Sequence, residues 1–403
     1  MLIVQIPMML MMMAIFAKSH QESMVSLCTA GDLKRVREIV EVNQDFLLDR
    51  DVEFGFDCTI VSAREGHLDL VKYLVSQGAS TRNRDLENQW TALMWATYEG
   101  HVDIVKFLES ASPGSLAEAL RDVSGVGDID MMTKLLDLNA NPDIKGMGGV
   151  TALMQASMYG HEDAVRLLLS RGADSAIRNV DGMTSLFVAV RYDHIETSRL
   201  LLDSNIELLE TTDRSGRTPL HVACANGKTA TAQMMISLGA NLNRKSHQGD
   251  TPLFLLVEAA TKEKPLSDRG RDAPTRKLLF NLDFNNLDVN SGAVDRHGTT
   301  ALMFASMSCD LDIVKLFVRH GANINAETKI DGRVVNAFEL AKRCDKPSRD
   351  WLSSHGFHPI SKRTFVVSRE RVIVLGVVGI SAVIVFAVFI MLNRELQSKK
   401  KST

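Results

Sequence analysis

Residues 218–223 read Thr218-Pro219-Leu220-His221-Val222-Ala223. Variants of this opening recur as Trp90-Thr-Ala-Leu-Met, Val150-Thr-Ala-Leu-Met, Met183-Thr-Ser-Leu-Phe, Asp250-Thr-Pro-Leu-Phe and Thr299-Thr-Ala-Leu-Met. Thr151, Thr184, Thr218 and Thr251 stand 33, 34 and 33 residues apart. A fixed period of this size marks a repeat array, in which each unit buries its apolar face only by stacking on its neighbours. A second landmark lies inside the units. Gly66-His67, Gly100-His101 and Gly160-His161 each precede an amphipathic run such as Val102-Asp-Ile-Val-Lys-Phe-Leu. Gly78, Gly172, Gly239 and Gly321, each followed by Ala, then close the unit.

Each landmark has a physical reason. A threonine at a helix entrance caps orphan N–H groups with its hydroxyl. Pro219 and Pro252 fall at the first helical position, where a missing N–H costs nothing. Ala96, Ala156, Ala189, Ala223 and Ala305 are small enough to let paired helices approach closely. Gly66, Gly100, Gly160 and Gly227 supply a left-handed turn between two helices. Ile104, Val105 and Leu108 form one apolar helical stripe.

The pattern resembles the ankyrin repeat, a unit of a β-turn and two antiparallel helices with the motif TPLH-x-A, a later GH and a closing GA. The resemblance covers roughly residues 24 to 355 and implies an all-α solenoid of helix–turn–helix units with β-turn fingers, about eight or nine in number. Residues 356–371 then form a basic linker. Several departures stand out. The first unit, from Met24, keeps little before Ala30-Gly-Asp, as a capping repeat does. In the second, Cys58-Thr-Ile-Val-Ser-Ala replaces the usual entrance. Gly100 to Gly127 is only 27 residues, through Ser112-Pro-Gly-Ser, so a finger is expected to be missing there. Asp193 and Cys309 replace the mid-unit glycine, and Thr261 to Pro274 is a charged insertion. That insertion reads either as a solvated loop or as a docking or phosphorylation segment at Ser267. Trp351 to Phe357 closes the array.

The resemblance also implies a protein partner, bound by the concave face and the hairpin tips. The candidate residues on that face are Trp90, Tyr98, Tyr159, Arg191, Tyr192, Arg214, Arg217 and Arg296. The aromatics are anchors of the type that dominates interface energy, and the arginines can pair with acidic groups. The alternatives are packing on a neighbouring unit and an ordinary solvated surface. His67, His101, His161 and His221 sit at repeat-consensus positions, where they hydrogen-bond turns. No catalytic motif stands in a suitable context, so no enzyme, cofactor, metal or small-molecule substrate is expected.

Bulk composition agrees. Against 49 Asp+Glu stand 46 Lys+Arg, a net charge of −3, which argues against non-specific nucleic-acid binding. The chain is 45% apolar, ample for a core. Its five cysteines are spread singly, suggesting neither a disulfide framework nor a zinc site.

The two ends differ from the rest. Val372 to Leu392, VIVLGVVGISAVIVFAVFIML, carries no charge. As a helix it is about 31 Å long, matching a hydrocarbon core of roughly 30 Å. It reads as a membrane span, followed by a short basic tail, residues 393–403. This arrangement resembles tail-anchored proteins of the mitochondrial outer membrane or endoplasmic reticulum, with the array in the cytosol. Met1 to Ala17 is also uncharged and reads as a signal peptide, a second anchor or a non-native extension. The expected function is a membrane-anchored scaffold that recruits a protein partner to an organelle surface. The rival readings are an adaptor that masks a client, and a luminal or type I membrane protein if the N-terminal segment is a signal peptide.

Overall fold

The structure is a computed structural model that describes residues 23–262, 273–290, 298–330 and 333–360. Both terminal apolar segments, the interior of the charged insertion and Arg296 lie outside the described residues. Among the described residues no helix is long and apolar enough to cross a membrane.

Nine helix pairs follow one another in the described residues. The first three are α1 (Met24–Thr29) with α2 (Leu33–Val42), α3 (Cys58–Arg64) with α4 (Leu68–Ser76), and α5 (Ala92–Glu99) with α6 (Val102–Ala111). Then come α7 (Ser115–Val126) with α8 (Ile129–Asp137), α9 (Ala152–Tyr159) with α10 (Glu162–Ser170), and α11 (Ser185–Tyr192) with α12 (Ile195–Ser204). The last three are α13 (Pro219–Ala225) with α14 (Thr229–Ser237), α15 (Pro252–Lys262) with α16 (Pro274–Phe280), and α17 (Ala301–Met307) with α18 (Leu311–Arg319). A terminal unit adds an antiparallel hairpin, β1 (Thr328–Ile330) and β2 (Arg333–Val335), then α19 (Ala337–Leu340) and α20 (Lys346–Ser354). The helical solenoid expected from the repeats forms, with this one short hairpin beside it, in which Thr328 pairs Val335 and Ile330 pairs Arg333.

The helix entrances form as the threonines require, with exceptions. The hydroxyls of Thr91, Thr151, Thr251 and Thr300 accept the N–H three residues on, at 3.2–3.4 Å. Thr184 makes no such bond. In the second unit Asp57 caps α3 instead, accepting from the Ile60 N–H at 2.9 Å. Ala96, Ala156, Ala189, Ala223 and Ala305 are all fully buried, as small residues between paired helices should be. One continuous core runs from Phe56 to Phe357, and a smaller cluster around Met24, Val36 and Leu74 closes the N-terminal end.

Units are joined by a contact between two landmarks of neighbouring repeats. Gly31, Gly66, Gly127 and Gly160 all have φ between 71° and 84°. The imidazole of the next unit covers each. A Cβ on Gly31, Gly66, Gly127 or Gly160 would fall 2.4–2.8 Å from the ring of His67, His101, His161 or His194, respectively. The same rings donate Nε2–H to carbonyls of the preceding unit, those of Thr29, Arg64, Gly125 and Met158, at 2.9–3.0 Å. A carbonyl only accepts, so these bonds fix the Nε2–H tautomer. Gly100 is the exception and has nothing over it, because the next unit carries Asp128 there, capping its own helix. Where glycine is replaced, the left-handed turn survives: φ is 67° at Asp193 and 58° at Cys309. Asp193 is held from the following unit by the Thr231 hydroxyl at 2.9 Å and by Lys228.

The cysteines are a correction. Cys28 is bonded to Cys58 and Cys309 to Cys344, with Cα atoms 5.4 and 5.3 Å apart, leaving Cys224 as the free thiol. Their sequence separations, 30 and 35, are each about one repeat. Stacking brings such positions together, and spacing rules for compact disulfide domains do not capture this. The bonds tie the first unit to the second and the last full unit to the terminal one, the places where a stack of repeats frays.

These contacts predict a graded response to glycine replacement. Gly100→Ala meets only the left-handed backbone penalty, about 1–2 kcal/mol. Gly160→Ala also displaces His194 from its carbonyl and should lose a further ~1 kcal/mol. Urea denaturation followed by circular dichroism checks this, and equal losses in the two variants contradict it.

Candidate protein-interaction site

The face formed by the fingers and the first helices is not uniform. Each finger is a tight turn, as in Asp85 N–H to Trp90 O at 3.0 Å and Asp213 N–H to Arg217 O at 2.9 Å. Neighbouring fingers hydrogen-bond to each other. Leu86 N–H donates to Phe54 O, Val180 to Gly148, Arg214 to Asp181 and His247 to Ser215, at 2.8–3.0 Å. Among the described residues this ladder is interrupted between the third and fifth units. Between α6 and α7 only Ser112, Pro113 and Gly114 intervene, so the fourth unit has no finger, as its short spacing predicted. Glu109 fills the role locally. Its carboxylate accepts from Gly114 N–H, Leu116 N–H and the Ser115 hydroxyl at 2.7–2.8 Å, capping α7.

The missing finger opens a notch. An open cavity of ≈270 Å³ lies between the finger of the third unit and the first helix of the fifth. Arg84, Trp90, Asp122, Val126, Gln155 and Tyr159 are among its walls. Val126 is 76% exposed at its edge. Gly125 has no side chain under the Tyr159 ring, where a Cβ would lie 3.4 Å from Cε2. Arg84 reaches across from the third-unit finger to the Asp122 carboxylate on α7 and donates to Gln89 O at 2.9 Å. It thus holds the finger at the notch rim.

Trp90 belongs to a larger aromatic group. Its ring centroid is 5.0 Å from that of Trp95 and 5.3 Å from that of Tyr98. Trp95 in turn meets Phe56 edge-on at 5.8 Å, with the Arg64 guanidinium over both rings. The buried Asp85 carboxylate fixes the group. It accepts from the Trp95 Nε1–H at 2.8 Å and from the backbone N–H of Asn88, Gln89 and Trp90 at 2.6–3.1 Å. Lys134 lies 4.6 Å over the Tyr98 ring and donates to its carbonyl at 2.6 Å. These aromatic contacts are rigid, and rigid aromatic surface orders on binding at little entropic cost.

The sequence-predicted residues divide. Tyr98, Tyr159 and Tyr192 are about half exposed at equivalent ends of α5, α9 and α11. Trp90 is half-buried against the core and shares the notch with Tyr159. Arg191 and Arg214 are exposed further along. Arg217 is engaged within its own finger, donating Nε and Nη2 to the Asp213 carboxylate at 3.0 and 2.9 Å. Arg296 lies outside the described residues. Sequence reading missed Trp95, Arg84, Asp122, Gly125 and Val126. The short step at Ser112 was the available signal for the last three, because a missing finger exposes the helix behind it.

Among the described residues no group of three or more His, Cys, Asp or Glu could hold a metal ion. His221, read as a structural histidine, is buried within the array. Its Nδ1 accepts from Thr218 N–H at 3.0 Å, and Nε2–H therefore donates to Asp250 O at 3.2 Å. Burial pushes its pKa from 6.5 down to about 4, with the nearby Arg217 charge adding a smaller effect in the same direction.

The sequence model of ankyrin repeats in three copies matches residues 13–115 and 120–212, and that of the single ankyrin repeat matches residues 215–247 and 297–329. The chain belongs to the ankyrin repeat family. It is similar to alpha-latroinsectotoxin-Lt1a of Latrodectus tredecimguttatus, at 30% identity over 36% of this chain and 9% of the toxin. It is also similar to the human transient receptor potential cation channel subfamily A member 1, at 25% identity over 38% of this chain and 13% of the channel. A third relative is human neurogenic locus notch homolog protein 1, at 30% identity over 30% of this chain and 4% of the relative. The chain thus spans only a small part of each.

His221 yields a pH prediction. The native chain refuses a proton that the unfolded chain accepts below pH 6.5, so stability is lost as pH falls from 6.5 towards about 4. The loss amounts to at most about 3 kcal/mol. In NMR titration the imidazole resonance that disappears in His221→Gln should keep its neutral position down to pH 5. A midpoint above 6 contradicts the reading.

Proposed function

We propose that the chain is a membrane-anchored scaffold whose finger-less fourth unit receives an extended peptide segment of a partner protein. The observation that carries this reading is the notch itself. It is an open aromatic-lined cavity at the gap between two runs of hydrogen-bonded fingers, Phe54–Leu86 on one side and Gly148 to His247 on the other. An apolar partner side chain fits between Trp90 and Tyr159, and the amides of Asn88 and Gln155 at the walls suit its main chain. Residues 372–392 supply the anchor in this reading, and anchoring raises the partner's local concentration so that a modest affinity suffices.

Val126→Glu tests the docking. The residue is largely exposed, so the fold should change by no more than ~0.5 kcal/mol. Partner affinity, measured with full-length protein on an immobilised surface, should fall at least about tenfold, a loss of ~1.4 kcal/mol. Unchanged affinity for Val126→Glu together with a loss for Tyr192→Ala places docking elsewhere and sinks the proposal.

One observation favours a second reading, in which the array faces an oxidising compartment and residues 1–17 act as a signal peptide. Disulfides persist there and are rare in the cytosol, and the array has one at each end. The chain has no Asn-x-Ser/Thr acceptor, which fits the cytosolic reading better. Acid trapping of cells followed by alkylation of the denatured chain separates the two. One reactive thiol, Cys224, supports the oxidising side, and five reactive thiols support the cytosolic side.

A further inference from the structure

On the surface formed by the second helices, α16 and α18 enclose an open pocket of ≈320 Å³. Its lining is Arg276, Lys277, Phe280 and Asn281 from or beside α16, and Asp312, Lys315 and Arg319 from α18. Arg276 is 3% exposed. Its Nη1 and Nη2 hold the Asp310 carboxylate, which caps α18 by accepting from Ile313 N–H at 3.2 Å. That leaves Nε–H buried with no partner among the described residues. A buried donor of a charged group is costly to leave unpaired, so an acceptor is the missing element here.

The surrounding charge says what kind of acceptor fits. Asp310 neutralises Arg276, and Asp312 stands more loosely beside it at 3.8 Å. Lys277, Lys315 and Arg319 form no ion pair among the described residues, although Lys315 also lies 5.7 Å over the Trp351 ring. Three free cations against the one carboxylate of Asp312 leave two positive charges in the pocket. The whole chain, by contrast, carries a net charge of −3, so this surplus is local. One carboxylate cannot satisfy such a set, whereas a tetrahedral oxyanion offers several acceptor oxygens to several donors at once. Phe280, 41% exposed and with its ring 5.8 Å from the Arg276 guanidinium, forms an apolar wall for the organic part of an ester.

We propose that this pocket binds a tetrahedral oxyanion, the head of a phosphate or sulfate monoester, between Arg276, Lys277, Lys315 and Arg319. It is separate from the notch and independent of the partner-docking reading.

Thermal unfolding of the full chain in detergent, at matched ionic strength, tests it. The probes are inorganic phosphate, inorganic sulfate, acetate and chloride. Phosphate or sulfate in excess should raise Tm by about 2–4 °C over chloride, and acetate should not. A rise with phosphate alone assigns the site to phosphate esters, and an equal rise with sulfate extends it to sulfate esters. The rise should vanish in Lys315→Glu/Arg319→Glu and persist in Lys106→Glu, an exposed control on α6. If the double variant fails to fold, Lys277→Gln, an exposed single change, should weaken phosphate affinity several-fold in calorimetry. An equal rise with acetate, or a full rise in the pocket variants, overturns the proposal.

Discussion

The structure depends on one recurring contact, the imidazole of one unit laid over the bare left-handed glycine of the unit before it. The glycine serves two ends at once. It turns the chain between paired helices, and it leaves room for a ring that a Cβ would strike at Gly31, Gly66, Gly127 and Gly160. The ring then reaches a carbonyl in the preceding unit. Turn, stacking and hydrogen bond are therefore satisfied by the same two residues, which is why Gly and His travel together in the sequence. Later units solve the same problem with other chemistry. Asp193 is held by Thr231 and Lys228, and Cys309 by a covalent bond to Cys344.

The fourth unit breaks both regularities. It lacks the histidine, so Gly100 is left uncovered, and it lacks a finger, so the finger ladder is cut in two. What stacking loses there is partly restored by Glu109 capping α7 and by Arg84 reaching over to Asp122. These are local repairs that keep the notch open without filling it. The aromatic group of Phe56, Trp90, Trp95 and Tyr98 sits on one side of the gap and Tyr159 on the other. A defect in the repeat thus coincides with the most aromatic part of the face.

Much of this was legible in the sequence because period and capping chemistry are local. The threonine entrances, the buried alanines, the left-handed turn at Gly100 and the missing finger at Ser112 all follow from spacing. What depends on neighbours one unit away was harder to see. Trp95 is indistinguishable from a core residue until Phe56 and Asp85 are placed beside it. Arg217 reads as a free surface charge until the tight turn brings Asp213 under it. The cysteine pairs were missed for the same reason, since only stacking brings positions a repeat apart into contact. The terminal hairpin, in a degenerate unit, had no period to announce it.

In the proposed function the finger-less unit, and no other part of this face, receives the partner. Site-specific photocrosslinking in the full chain tests it most directly, with a benzophenone amino acid placed at Val126, Tyr159 or Met307, all exposed. The account predicts partner crosslinks from Val126 and Tyr159 and none from Met307. Crosslinks from Met307 without any from Val126 would contradict it.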